Sequence, residues 1–156
     1  MIMNNANRTI TSLYFITLFF ITLSGFAQMP IFSRYYIADI PGLGWLGDFY
    51  INHRIHYMFA LIFLGLAAYT LVDFFMDKKS SKKITRAGYT KASIIAGLII
   101  TGSLMMVKNF IGTPFPNGVI IFLDISHLGL CMALLFYLAM DRIKMDQLKV
   151  LKKKTS

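Results

Sequence analysis

The sequence predicts an all-α integral membrane protein, a four-helix bundle with both termini cytoplasmic and an external interfacial loop between its first two helices. Three observations lead there. Of 156 residues, 56% are hydrophobic, more than a soluble domain of this length can bury. Four segments stay apolar for about the 20 residues that a helix needs to cross a hydrocarbon core of roughly 30 Å. Basic residues gather in the connections that the positive-inside rule assigns to the cytoplasm.

The first span covers residues 9–27. Arg8 before an apolar run that closes on Ser24, Gly25 and Ala27 also has the outline of a signal peptide, and we read it as a retained helix. Residues 51–75 form the second span, 91–107 the third and 119–140 the fourth. The third is the shortest; Ser93, Gly97 and Thr101 give it a stripe of small residues at four-residue spacing, which lets helix backbones approach closely. Basic residues 141–156 make a cytoplasmic tail. No tandem repeat or disordered linker is apparent, so residues 1–156 read as one domain.

Orientation follows from charge. Lys78, Lys79, Lys82, Lys83, Arg86 and Lys91 lie between spans two and three, and Arg142, Lys144, Lys149, Lys152, Lys153 and Lys154 follow span four. The opposite side has only Arg34, Arg54 and Lys108. A net charge of +9 therefore reads as topology and attraction to anionic lipid; the positive residues flank membrane ends, and no nucleic-acid module is present.

Residues 28–48 connect spans one and two and are too apolar to float in water. Pro30 and Pro41 limit continuous helix, Pro41-Gly42 marks a turn, and Tyr35, Tyr36, Trp45 and Tyr50 suit the wet boundary of a bilayer. An aromatic belt is the plain reading of this loop; a lid over a cofactor is the functional one.

Only three histidines occur. His53 and His56 open span two a turn apart, and His127 lies inside span four. An imidazole in lipid must find a partner, and intramembrane ionisable groups mark functional sites. Counting 1.5 Å per helical residue, His56 lies about 9 Å below a boundary near Tyr50 and His127 about 12 Å below one near Val119. Spans two and four run in the same direction in this topology. The expectation is one haem b clasped by His56 and His127, its propionates toward Arg34 and Arg54. His53 is the competing ligand, although its shallower position also suits an interfacial hydrogen-bonding residue. Asp124, a turn before His127, has three candidate partners: an imidazole N–H, Arg54 or Lys108. His53, Asp124 and Lys108 are candidate quinone or proton contacts. Ala60, Ser126, Gly129 and Ala133 leave room for a flat macrocycle or for close helix packing.

Two stretches, Asn52-His53-Arg54-Ile55-His56-Tyr57-Met58-Phe59-Ala60 and Asp124-Ile125-Ser126-His127-Leu128-Gly129, resemble the four-helix cytochrome b membrane subunits of bacterial respiratory oxidoreductases, the group containing formate dehydrogenase and thiosulfate reductase gamma subunits. The resemblance covers most of the chain loosely and these two stretches specifically. It implies haem b on histidines of these helices and electron exchange between quinone and a partner redox subunit in the bacterial inner membrane. The partner would be an external multihaem cytochrome or an iron–sulfur or molybdenum protein. Two-haem relatives use further histidines, including one on the first span, where this chain has none; a second haem here would need a ligand such as Met58, Met105 or Met106.

The alternative is a haem-free membrane anchor, in which His53 and His56 are boundary residues and His127 with Asp124 forms a polar helix contact. Cys131, the lone cysteine, supplies neither a disulfide nor an iron–sulfur cluster and reads as packing. Walker-type loops, HExxH patterns and nucleophile constellations are absent from the sequence, so any catalytic label belongs to an assembled redox complex.

Overall fold

A computed structural model describes residues 5–76, 85–109 and 115–154. Every regular element among them is helical: α1 (Asn5–Ala27), α2 (Ile31–Arg34), α3 (Phe49–Met76), α4 (Arg86–Val107) and α5 (Asn117–Lys154), with 3-10 turns at Ile37–Asp39 and Gly44–Gly47. The four long helices are each long and apolar enough to cross a membrane, as a multi-pass membrane protein requires. Their outer faces carry large apolar side chains in the open, such as Leu61 at 70% exposure and Phe122 at 69%, surfaces that suit lipid and not water.

The chain divides into two compact units, Met1–Ser81 and Lys82–Ser156. In the first, α1 and α3 pack antiparallel. Tyr14 meets Phe63 at 5.5 Å between ring centroids, Phe20 stacks on Phe59 at 4.7 Å, and Ser24 reaches His56. Contacts that climb one helix while descending the other define the hairpin.

Between α1 and α3 the chain is packed, not loose. Ile40, Pro41, Gly42 and Leu43 make a tight turn closed by the Leu43 N–H on the Ile40 carbonyl at 2.9 Å. Gly42 has φ of 89°, the left-handed value that glycine adopts without strain after Pro in a type II turn. Gly47 comes so near Ala38 that a Cβ would stand 2.9 Å from the alanine methyl. Tyr35, Tyr36 and Tyr50 are exposed, and Leu46 is buried, which fits a folded interfacial segment with aromatic side chains turned outward.

Asp48 starts α3 by accepting the N–H groups of Tyr50 at 2.9 Å and Ile51 at 3.1 Å, a side-chain cap on otherwise orphaned donors. Asn52, fully buried, donates its amide to the carbonyls of Trp45 and Asp48, both at 2.8 Å. It thereby fastens the Gly44–Gly47 turn to the helix that carries His53 and His56.

In the second unit, Thr85 caps α4 by accepting the Gly88 N–H at 3.1 Å. The cap moves the helix start ahead of the expected residue 91, so Arg86 and Lys91 belong to the helix. Lys78, Lys79, Lys82 and Lys83 lie outside the described residues. α4 and α5 are again antiparallel, joined by ion pairs Lys108–Asp124 and Lys91–Asp141, each at 2.5 Å. Both helices place their two charged residues seventeen positions apart, so the pairs bracket an apolar band of about 25 Å, close to a hydrocarbon core. Tyr137 lies under Lys91, with the ammonium 5.3 Å from its ring centroid.

Of the small-residue stripe, Gly97 and Thr101 meet α5 and Ser93 is exposed. A Cβ on Gly97 would stand 3.0 Å from Leu130 Cδ1. Gly129, in contrast, has nothing within 4 Å of a Cβ position among the described residues, so it takes no part in packing this hairpin. α5 runs on past residue 140 to Lys154.

Replacing Asn52 with Ala removes its two side-chain hydrogen bonds to the Trp45 and Asp48 carbonyls, each of which keeps a backbone N–H. The expected loss is about 1–3 kcal/mol, read as a lower thermal midpoint in detergent together with faster proteolysis near Gly44.

Candidate functional site

His56 extends from α3 toward the C-terminal end of α1. Its Nδ1 lies 3.0 Å from the Ile21 carbonyl oxygen and 3.3 Å from Ser24 Oγ. A carbonyl can only accept, so Nδ1 bears the hydrogen. Helical side chains lean toward the N-terminus, and a side chain at position 25 would lean over the Ile21 carbonyl. Glycine there leaves it open: a Cβ on Gly25 would sit 3.2 Å from His56 Cε1.

His127 extends from α5 toward α4, with Nδ1 at 2.8 Å from Thr101 Oγ1. A hydroxyl has one proton, and Thr101 Oγ1 lies 2.8 Å from the Gly97 carbonyl. With the proton given to that carbonyl, the hydroxyl accepts from His127 and Nδ1 is again the donor; with the proton turned to the ring, the hydrogen of His127 is on Nε2. Gly102 makes room for this ring as well, since its Cβ would stand 3.4 Å from His127 Cε1.

In a neutral imidazole with its hydrogen on Nδ1, the lone pair is on Nε2. Each expected ligand meets a protein oxygen through Nδ1, and with its hydrogen there it has the tautomer that a metal-binding histidine takes when its other nitrogen is hydrogen-bonded to protein. Among the described residues no cluster of three or more His, Cys, Asp or Glu side chains is set to hold a metal ion. A haem needs no such cluster, because its porphyrin fills the equatorial positions and the protein adds only axial ligands.

His53 is held differently. Its Nδ1 lies 3.0 Å from Gln28 Oε1, and its ring packs against Phe49 and Tyr57 with centroids 5.4 and 4.3 Å away. It ties the start of α3 to the end of α1, one turn above His56.

Of the three partners considered for Asp124, Lys108 is the one it pairs with. Lys108 follows the last turn of α4, so the pair sits at that helix end, and the carboxylate has its countercharge where lipid would otherwise make it costly. Arg34 on α2 and Arg54 on α3 are exposed. Cys131 is half-buried and free, in keeping with a packing role.

The oxygens and glycines that receive the two imidazoles had no sequence signal of their own, because serine, threonine and glycine are common in membrane helices. Asn52 opens the Asn52–Ala60 stretch, yet its grip on the loop is visible only in the folded turn. No family model matches the chain, and no curated protein or solved structure matches it.

Lys108→Met and Asp124→Asn should each destabilise the α4–α5 hairpin more than the double variant does relative to either. A double-mutant cycle on unfolding in mixed micelles should give a favourable coupling on the order of 1 kcal/mol; zero coupling would show that the pair contributes nothing to the hairpin.

Proposed function

We propose that this chain is a haem b-carrying membrane subunit that passes electrons between the quinone pool and a redox partner on the external, periplasmic side, with His56 and His127 as axial ligands of one haem. The observation that carries the reading is that each ring meets a protein oxygen through Nδ1, His56 at the Ile21 carbonyl and His127 at Thr101 Oγ1; with the hydrogen on Nδ1, Nε2 of each is the basic nitrogen. A haem b bound there would supply a one-electron carrier of a potential set by its ligands and surroundings.

The chain's own residues have definite tasks in this proposal. Ile21, Ser24 and Thr101 fix the imidazoles, and their bonds to Nδ1 raise ligand basicity. Arg34 and Arg54 would meet the propionates. His53, Asp124 and Lys108 are the polar groups for quinone and its protons: Lys108 Nζ compensates the Asp124 carboxylate, and His53 is steadied through Nδ1 by Gln28. The bilayer is the bacterial inner membrane and both termini are cytoplasmic, on the strength of the basic residues at 78–91 and 142–154. Bundling of the four long helices belongs to the same proposal, as does the partner, a multihaem cytochrome or an iron–sulfur or molybdenum subunit.

A second reading has its own support. His56 to Ile21 and His127 to Thr101 are hydrogen bonds between neighbouring helices, and such bonds stabilise membrane hairpins with no cofactor. On that reading the chain is a haem-free anchor of a larger complex.

Purified full-length protein separates the two. A dithionite-reduced-minus-oxidised spectrum with the haem b pyridine haemochrome supports the cytochrome, and its absence from chain purified with haem supplied supports the anchor. His56→Ala and His127→Ala should each abolish the haem spectrum, whereas His53→Ala should keep it and slow quinone-linked electron transfer. Loss of haem on His53→Ala alone reverses the ligand assignment.

A further inference from the structure

The two hairpins repeat one local construction. In α1 the consecutive residues Ser24 and Gly25 face His56; in α4 the consecutive residues Thr101 and Gly102 face His127. Both hydroxyls donate backward by four residues, Ser24 to Phe20 at 2.6 Å and Thr101 to Gly97 at 2.8 Å. Both also have the carbonyl three residues back within reach, Ile21 at 3.2 Å and Leu98 at 3.3 Å. With each hydroxyl proton on its own helix, the remaining lone pairs face an imidazole.

The match extends along the second helix of each hairpin. Counting from His56 and His127, the position four residues earlier is buried in both, Asn52 and Leu123. The position seven residues later is buried in both, Phe63 and Leu134. The position three residues earlier is polar and bonded to the C-terminal end of the preceding long helix or the residues just beyond it: His53 to Gln28, Asp124 to Lys108. Three residues after each histidine lies the next contact with the first helix, Phe59 on Phe20 and Leu130 against Gly97. The sequence shows no tandem repeat because the matched positions differ in residue type and the connections differ in length.

We propose that Ser24–Gly25 and Thr101–Gly102 are two copies of one imidazole seat, positioning residues that each hold their own histidine, His56 or His127, in the Nδ1–H tautomer. What the rings serve rests on the haem reading above; the seats themselves do not.

The glycine of each seat admits the ring, and the hydroxyl or exposed carbonyl beside it selects the nitrogen that bears hydrogen. The copies are not equal in strength. His56 has the Ile21 carbonyl as a second acceptor at 3.0 Å, so losing the Ser24 hydroxyl leaves a partner. Thr101 Oγ1 lies 2.8 Å from His127 Nδ1.

The test is histidine-selective ¹⁵N NMR of the haem-free full-length chain in nanodiscs at a pH where the rings are neutral, with each residue assigned by its His→Ala variant. Both His56 and His127 should show a protonated Nδ1 and an unprotonated Nε2. Thr101→Val should convert His127 to a mixture of tautomers, Thr101→Ser should restore the single form, and Ser24→Ala should leave His56 predominantly Nδ1–H. An Nε2–H ring at either position in the unsubstituted chain overturns the proposal, as does a His127 spectrum unchanged by Thr101→Val. Because no haem is present, these outcomes stand apart from the haem assay: a chain with both seats and no haem on purification would keep this inference and remove the cytochrome.

Discussion

A hydroxyl has a single proton, and those of Ser24 and Thr101 each lie within reach of the carbonyl four residues earlier. The candidate site depends on this constraint. Once Thr101 has donated to Gly97, it can only accept, and the ring opposite must present N–H. Ser24 obeys the same rule, reinforced by a carbonyl that glycine leaves uncovered. At His56 the carbonyl fixes Nδ1 as the donor, at His127 the donor follows from where the Thr101 proton goes, and in lipid no water is at hand to relax either arrangement.

Much of the fold was legible because membrane helices obey few rules. Length and apolar content located the four spans, since no other element satisfies its backbone in lipid. The Pro41-Gly42 turn was legible from the two residues alone. The start of α4 lies ahead of residue 91, where the apolar span begins, because Thr85 supplies the cap; Lys91, inside the helix, pairs with Asp141. The length of α5 was hidden for a related reason. A span ends where lipid ends, but a helix ends only where something stops it, and residues 130–154 contain neither glycine nor proline.

At the site, the rare residues could be read and the common ones could not. His56 and His127 stand out because imidazoles are unusual in apolar runs. Their acceptors do not: Ser24 is thirty-two residues from His56, Thr101 is twenty-six from His127, and nothing at either spacing marks a pair until the helices are laid side by side. Asp124 occupies middle ground. Its need for a partner was plain, and the end of α4 chose Lys108 from the three available.

The length of α5 has a mechanical side. Thirty-eight residues make a rod of about 57 Å, nearly twice the thickness of a hydrocarbon core. Without glycine or proline after Gly129 it has no ready place to kink. Torque or tension applied to its protruding portion would be transmitted along the shaft to the turn that bears His127, with no hinge on the way to absorb it.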